Sequence, residues 1–239
     1  MPRPDVARLS GAQRDLLLAL AGLALLMLWD SSGLDMALLR QVGDADGFAW
    51  RNHWLTAGLL HQGGRWLSVA LFVLTVAITL RPFGPWRGAM PRERVWALGI
   101  TIACLVLIPL LKRHSLTSCP WELQEFGGVA RYVSHWRFGI GDGGPGRCFP
   151  SGHASGAFSF LALAVLLRTR RPAAARAVLI ALCTVGAVFG LAQMARGAHY
   201  LSHTLYTAWL CASLTALSWQ ALQRPASRAL PLPHHRPAD

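Results

Sequence analysis

Three short polar segments carry the groups that could do chemistry: residues 112–120 (KRHSLTSCP), 147–153 (RCFPSGH) and 193–203 (QMARGAHYLSH). Lys112 and Arg196 offer fixed positive charge of the kind that neutralises phosphoryl oxygens. The backbone amides of Ser151, Gly152 and His153, at the expected first turn of a helix, would form a nest for the same oxygens. Gly152 would let the backbone come close. His153 and His199 can divide the work of nucleophile and general acid, because imidazole titrates near neutrality. Hydrolysis of a phosphate ester through a phosphohistidine needs those two roles and no metal ion, so no cofactor is expected. Arg113, Arg131 and Arg147 are further candidate donors.

The elements that must position these residues are apolar helices. Of 239 residues, 53% are hydrophobic and 14% charged, against roughly 25% charged in an ordinary soluble domain. Lipid-facing side chains resolve the shortage of polar surface. Apolar runs at 16–29, 66–80, 95–111, 153–167, 177–195 and 204–222 predict six transmembrane helices, an all-α polytopic bundle forming one domain over residues 1–223. The first run reads as an uncleaved anchor. Residues 30–66 are expected as an external loop carrying a short interfacial helix around 54–60. Residues 112–152, too polar for hydrocarbon, form the long loop in which chemistry could be housed. The proline-rich residues 224–239 are expected as a disordered cytoplasmic tail.

Charge sets the expected orientation. The turns at 81–94 and 168–176 carry four arginines each and a single acid, Glu93, between them. Positive charge collects on the cytoplasmic side, so both termini belong there and the three polar segments share the outward face. A bacterial inner membrane with the site towards the periplasm fits this pattern. The net charge of +12 is spread between apolar runs, not along a reading element. Membrane lipids are therefore the expected partner and nucleic acid is not.

The three segments together resemble the type 2 phosphatidic acid phosphatase (PAP2) superfamily. Its pattern is Lys-x6-Arg-Pro, then Pro-Ser-Gly-His, then Ser-Arg-x5-His-x3-Asp. Here it is met by Lys112 with Pro120, by Pro150-Ser151-Gly152-His153, and by His199. The resemblance covers residues 112–205 and implies a PAP2/chloroperoxidase-like bundle of six helices with its site at the outer surface. It implies His199 as nucleophile, His153 as the acid that protonates the leaving group, and Lys112 and Ser151 as holders of phosphoryl oxygens. A lipid phosphatase acting on a phosphatidate, a lipid A headgroup or a prenyl pyrophosphate is the implied activity.

The sequence departs from the pattern at Cys119, where an arginine is expected, at Ala192 and Gln193, where serine and arginine are, and at His203, where an aspartate is. Arg196, three residues after Gln193, would reach nearly the same helix face. His203, four after His199, would accept that ring's proton and fix its tautomer, and an Asp or Glu from another loop could also serve. These substitutions leave open hydrolysis, an altered phosphotransfer, or a fold without chemistry. A transporter or channel would instead place polar groups within facing spans, and a structural membrane protein without catalysis is a third reading.

Cys119 and Cys148 both fall in the outward loop, where an oxidising compartment permits a disulfide; the alternative is two sheltered thiols. Cys104, Cys183 and Cys211 read as small apolar residues within spans. His53, His61, His114 and His135 read as solvated or structural. A zinc site on His199, His203 and a cysteine would lack the acid and further ligand of a metalloprotease motif, so no metal is expected. The sequence leaves the oligomeric state open.

Overall fold

The computed structural model describes residues 9–224; beyond Arg224, the expected tail lies outside the described residues. Among these there is no β-strand; helices are joined by turns and by the long 115–151 loop. Helix α1 is Gly11–Ser31, opened by a capping box in which the Ser10 hydroxyl accepts the Gln13 amide and the Gln13 side chain accepts the Ser10 amide. The short α2 is Leu34–Leu39. A π-helical stretch, Trp54–Gly63, runs directly into α3, Gly64–Leu80. Helix α4 is Pro91–His114, started by Pro91 and by the Glu93 carboxylate, which accepts the Met90 amide at 2.9 Å. Then come α5, Gly152–Phe158, α6, Ala162–Val165, α7, Pro172–Ala195, and α8, Leu201–Gln223.

Four helical stretches are long and apolar enough to cross a membrane: Gly11–Ser31, Trp54–Gly88, Pro91–His114 and Pro172–Ala195. They expose large aliphatic side chains such as Leu18, Leu25, Val73, Val106 and Ile180, which a lipid surround accommodates. The other two expected spans differ. The run at 153–167 is not one helix but α5 and α6, joined by tight turns at 159–161. Residues 154–164 are all buried, so this element faces protein on every side. Its small residues serve close packing, the feature that binds helices together in lipid. Helix α8 has the length, but Ser202, His203, Thr204, Thr207 and Thr215 lie buried along it. Its inner face is polar because it lines the bundle.

Residues 30–66 also differ from the expected loop. The helix begins at Trp54 and is continuous into α3, so the short interfacial helix is the first part of a membrane-length element. The hydropathy pattern hides this because His61, Gln62 and Arg65 interrupt it.

Close approach brings α3, α5, α7 and α8 around one end of the bundle. The Ser68 hydroxyl of α3 donates to the Gly156 carbonyl of α5 at 3.0 Å. A Cβ on Gly156 would stand 2.1 Å from that same hydroxyl. On α7, Gly186 and Gly190 face Phe158 and Thr204 at similar range, a small-xxx-small contact seam. At the other end, Arg170 grips buried Glu93 through two hydrogen bonds of 2.9 and 3.2 Å, tying the start of α4 to the turn before α7.

Candidate active site

The end of α7 sets the position of His199. The Gly197 amide donates to the Met194 carbonyl, and the Ala198 and His199 amides to that of Gln193. Gly197 has φ +69°, and a Cβ there would lie 2.3 Å from the Phe48 ring, so only glycine ends the helix in this way. The chain then turns into α8, whose Ser202 amide donates to the buried Asp35 carboxylate at 3.0 Å. Asp35 therefore caps α8 from outside its own sequence neighbourhood.

Between these two helix ends the His199 ring is almost fully buried. Its Nε2 lies 3.5 Å from Lys112 Nζ, and its Nδ1 lies 3.3 Å from Nδ1 of His203. An ammonium can only donate, so Lys112 favours a lone pair on Nε2 and leaves the ring hydrogen on Nδ1, pointing to His203. Burial first, and the Lys112 charge second, push the His199 imidazole well below its ordinary range. The ring is neutral at pH 7, with its free nitrogen towards Lys112.

Cys119 and Cys148 form a disulfide with Cα atoms 5.2 Å apart. It fastens the first polar segment to the second, and the Arg147 and Cys148 amides reinforce it by donating to Ser115 and Thr117. The Cys148 sulfur sits 3.5 Å from His199 Nδ1. Cys148, His199 and His203 offer donor atoms within 4.8 Å of one another. With the sulfur spent in the disulfide there is no thiolate, and the metal-binding set reduces to two imidazoles.

A cavity of 680 Å³ opens at this end of the bundle, and both His153 and His199 line it. Lys112, Arg65 and Arg196 bring three cations to its wall, with Gly152, Gln193, Trp121 and the apolar Leu105 and Pro109. Among the described residues no acid lines it. Arg196 is held at the wall by hydrogen bonds to the Arg51 carbonyl at 2.9 Å and to Gln193 Oε1 at 3.4 Å. Burial, then the neighbouring Arg51 charge, lowers its pKa from the usual guanidinium value. Pro109 supplies no amide to the Leu105 carbonyl one turn back.

His153 Nε2 lies 3.0 Å from the Leu60 carbonyl, which can only accept, so that nitrogen carries the hydrogen. Its ring stacks on His61, with centroids 4.9 Å apart. Gly64 makes room, since a Cβ there would lie 2.9 Å from His153 Nε2.

Of the residues singled out in the sequence, Lys112, Gly152, His153, Arg196 and His199 share the cavity, and His203 stands directly behind His199. Ser151 does not line it: the residue is fully buried and its amide donates to the His203 carbonyl at 3.2 Å. Arg113, Arg131 and Arg147 are absent from the wall. His61, expected as solvated or structural, lines the cavity, as does Arg65, which lies outside the three polar segments. Their signal was present, because His61, Arg65 and Ser68 recur at i, i+4 and i+7, one face of a continuous helix. The presumed loop obscured it.

The family model of the PAP2 superfamily matches residues 93–226, and the chain belongs to that superfamily. The match supports a phosphatase-type activity for a membrane-associated helical protein. No curated protein and no solved structure matches the chain.

Proposed function

We propose that this protein is a membrane-embedded phosphatase that hydrolyses a phosphomonoester or pyrophosphate on an amphiphilic substrate through a phosphohistidine at His199. The observation that carries the proposal is the placement of the His199 ring, with Nε2 beside a cation at the cavity and Nδ1 against a second imidazole. Nucleophile and orienting partner in hydrogen-bond reach is the signature of an activated nucleophile.

In the first step Nε2 of His199 attacks phosphorus as the ester P–O bond breaks, and the electron pair leaves on the ester oxygen. His153 gives that oxygen a proton. With Nε2–H committed to Leu60, the working atom of His153 is Nδ1, which holds a proton to give while the ring is an imidazolium; giving it leaves the ring neutral and ready to accept one from water. In the second step water attacks phosphorus, His153 takes the proton from water, and the P–N bond breaks to restore His199. Lys112, Arg65 and Arg196 stabilise the equatorial oxygens as charge develops. Gly152 carries no side chain to block them; a Cβ there would meet only the Lys112 stem, at 3.9 Å.

The apolar Leu105 and Pro109 in the wall favour a substrate whose tail stays in lipid. Six crossings, with α5–α6 and α8 as the inner pair, complete the proposed topology. The arginine-rich turns lie in the cytoplasm and the cavity faces the periplasm of a bacterial inner membrane. Incubating purified protein with a panel of phosphorylated lipids and following phosphate release by mass spectrometry tests this. His199→Ala should abolish release and remove a phosphoryl adduct mapped to residue 199; undiminished release from that variant would overturn the assignment.

A further inference from the structure

The superfamily pattern expects a carboxylate at residue 203 and the chain supplies a histidine. Behind that histidine lies an enclosed polar cluster that hydrolysis by His199 has not so far used. The His203 ring is fully buried and its Nε2 has no hydrogen-bond partner. The His135 ring, from the 115–151 loop, is 5.6 Å away between centroids, and its Nε2 is likewise buried and unpartnered. Nδ1 of His135 lies within ion-pair range of Asp30 Oδ1 at the end of α1, at 3.4 Å, although that oxygen makes no hydrogen bond in this arrangement. The Ser134 hydroxyl donates to the other oxygen of Asp30.

The tautomers make these contacts consistent. His199 keeps its hydrogen on Nδ1, so His203 Nδ1 accepts and His203 Nε2 must carry a hydrogen. A carboxylate beside Nδ1 of His135 favours a hydrogen there, which leaves His135 Nε2 as an acceptor. One unpartnered nitrogen is therefore a donor and the other an acceptor, on rings whose centroids are 5.6 Å apart. Orphaned polar atoms of this kind are costly, and with no direct bond between them one bridging water would satisfy both.

From this we infer that Asp30 is a positioning residue for His199, acting through His135 and His203 as the remote carboxylate that replaces the one missing at 203. The inference rests on the phosphohistidine reading above. As His199 Nε2 bonds to phosphorus its ring gains positive charge. The row of imidazoles spreads that charge towards Asp30, directly from His199 to His203, and from His203 onward by the approach of His135 and the carboxylate and by bridging water. No atom leaves the chain and no other reactant is needed. Asp30 lies outside residues 93–226, so the superfamily match does not contain it.

Two readouts test this separately. In protein carrying 15N-labelled histidine, Asp30→Asn should change the ring-nitrogen signals of both His135 and His203, while Asp30→Glu preserves them. Unchanged His203 signals in a folded Asp30→Asn protein would overturn the inference, whether or not any lipid phosphate proves to be a substrate. With a hydrolysed lipid phosphate, Asp30→Asn should lower kcat about 10-fold at unchanged KM, the usual scale for a group that orients a reacting residue. His203→Asp places a carboxylate directly beside His199, so Asp30→Asn in that background should cost less than about 2-fold. Equal loss in both backgrounds would make Asp30 a structural residue only. No hydrolysis by any variant or by the natural protein would defeat the proposed function and leave the ring signals to decide on the chain of contacts.

Discussion

His199 and Lys112 form a pair whose value depends on burial. In water an imidazole beside an ammonium gains little, whereas inside the bundle the neighbouring charge and the loss of solvation both oppose protonation. The nucleophilic form therefore persists into acid, and the acid limb of kcat/KM should fall below the ordinary imidazole value of 6.5. A limb at or above that value would contradict the assignment. His135 has the opposite consequence for stability. Burial pushes its imidazole down to about 4, while the unfolded residue takes a proton near 6.5. Between those values the unfolded chain binds more protons, so the folded state loses stability as pH drops through that window. Melting temperatures in detergent, measured from pH 7 to 4, should decline accordingly, and less so for His135→Phe. Arg65 is a third residue whose effect can be isolated: Arg65→Ala should raise KM by about 10-fold if it binds phosphoryl oxygens in ground and transition states alike, with steady-state kinetics as the check. Lys112, His153, His199 and Arg196 were legible as a group from residue type and spacing alone. Arg65 and His61 were not, because a polar stripe is recognisable only once its helix is.

At the scale of elements, α3 and α5 meet where Ser68 reaches the Gly156 carbonyl, one turn after His153. Gly156→Ala puts a methyl group into the space of the Ser68 hydroxyl, and should destabilise by about 1–3 kcal/mol, the usual cost of overpacking. Thermal melting reads it, and Ser68→Ala should recover part of the loss by removing the clashing atom. The outer helices α1, α3, α4 and α7 were visible as apolar runs because lipid demands continuous hydrophobicity. The inner elements were less so. The α5–α6 break lies among small residues whose hydropathy resembles a span's, and α8 buries hydroxyls and an imidazole that hydropathy counts against it. Both are shaped by what they pack against, which a one-dimensional average omits. The helix around 54–60 reads as a separate interfacial piece for a related reason: His61 and Arg65, which line the cavity, interrupt the apolar run that would join it to α3.

For the molecule as a whole, the 115–151 loop is fixed over the bundle by covalent and polar ties. The Cys119–Cys148 bond spans a sequence separation of 29, and within the same loop buried Asp142 accepts from the Ser118 amide and hydroxyl and from the Gly144 amide. Replacing both cysteines by serine should cost about 2–4 kcal/mol of stability, read from denaturation in detergent. It should also lower kcat, since the Cys148 sulfur lies against His199. The termini of this arrangement come from distant parts of the chain: Asp35, near the start, holds the first turn of α8, near the end. Swapping only residues 93–226 between superfamily members would thus part the recipient's α8 from its own anchor. A workable chimera has to carry α1 and α2 along with the matched segment, or import a new acid to grip the Ser202 amide.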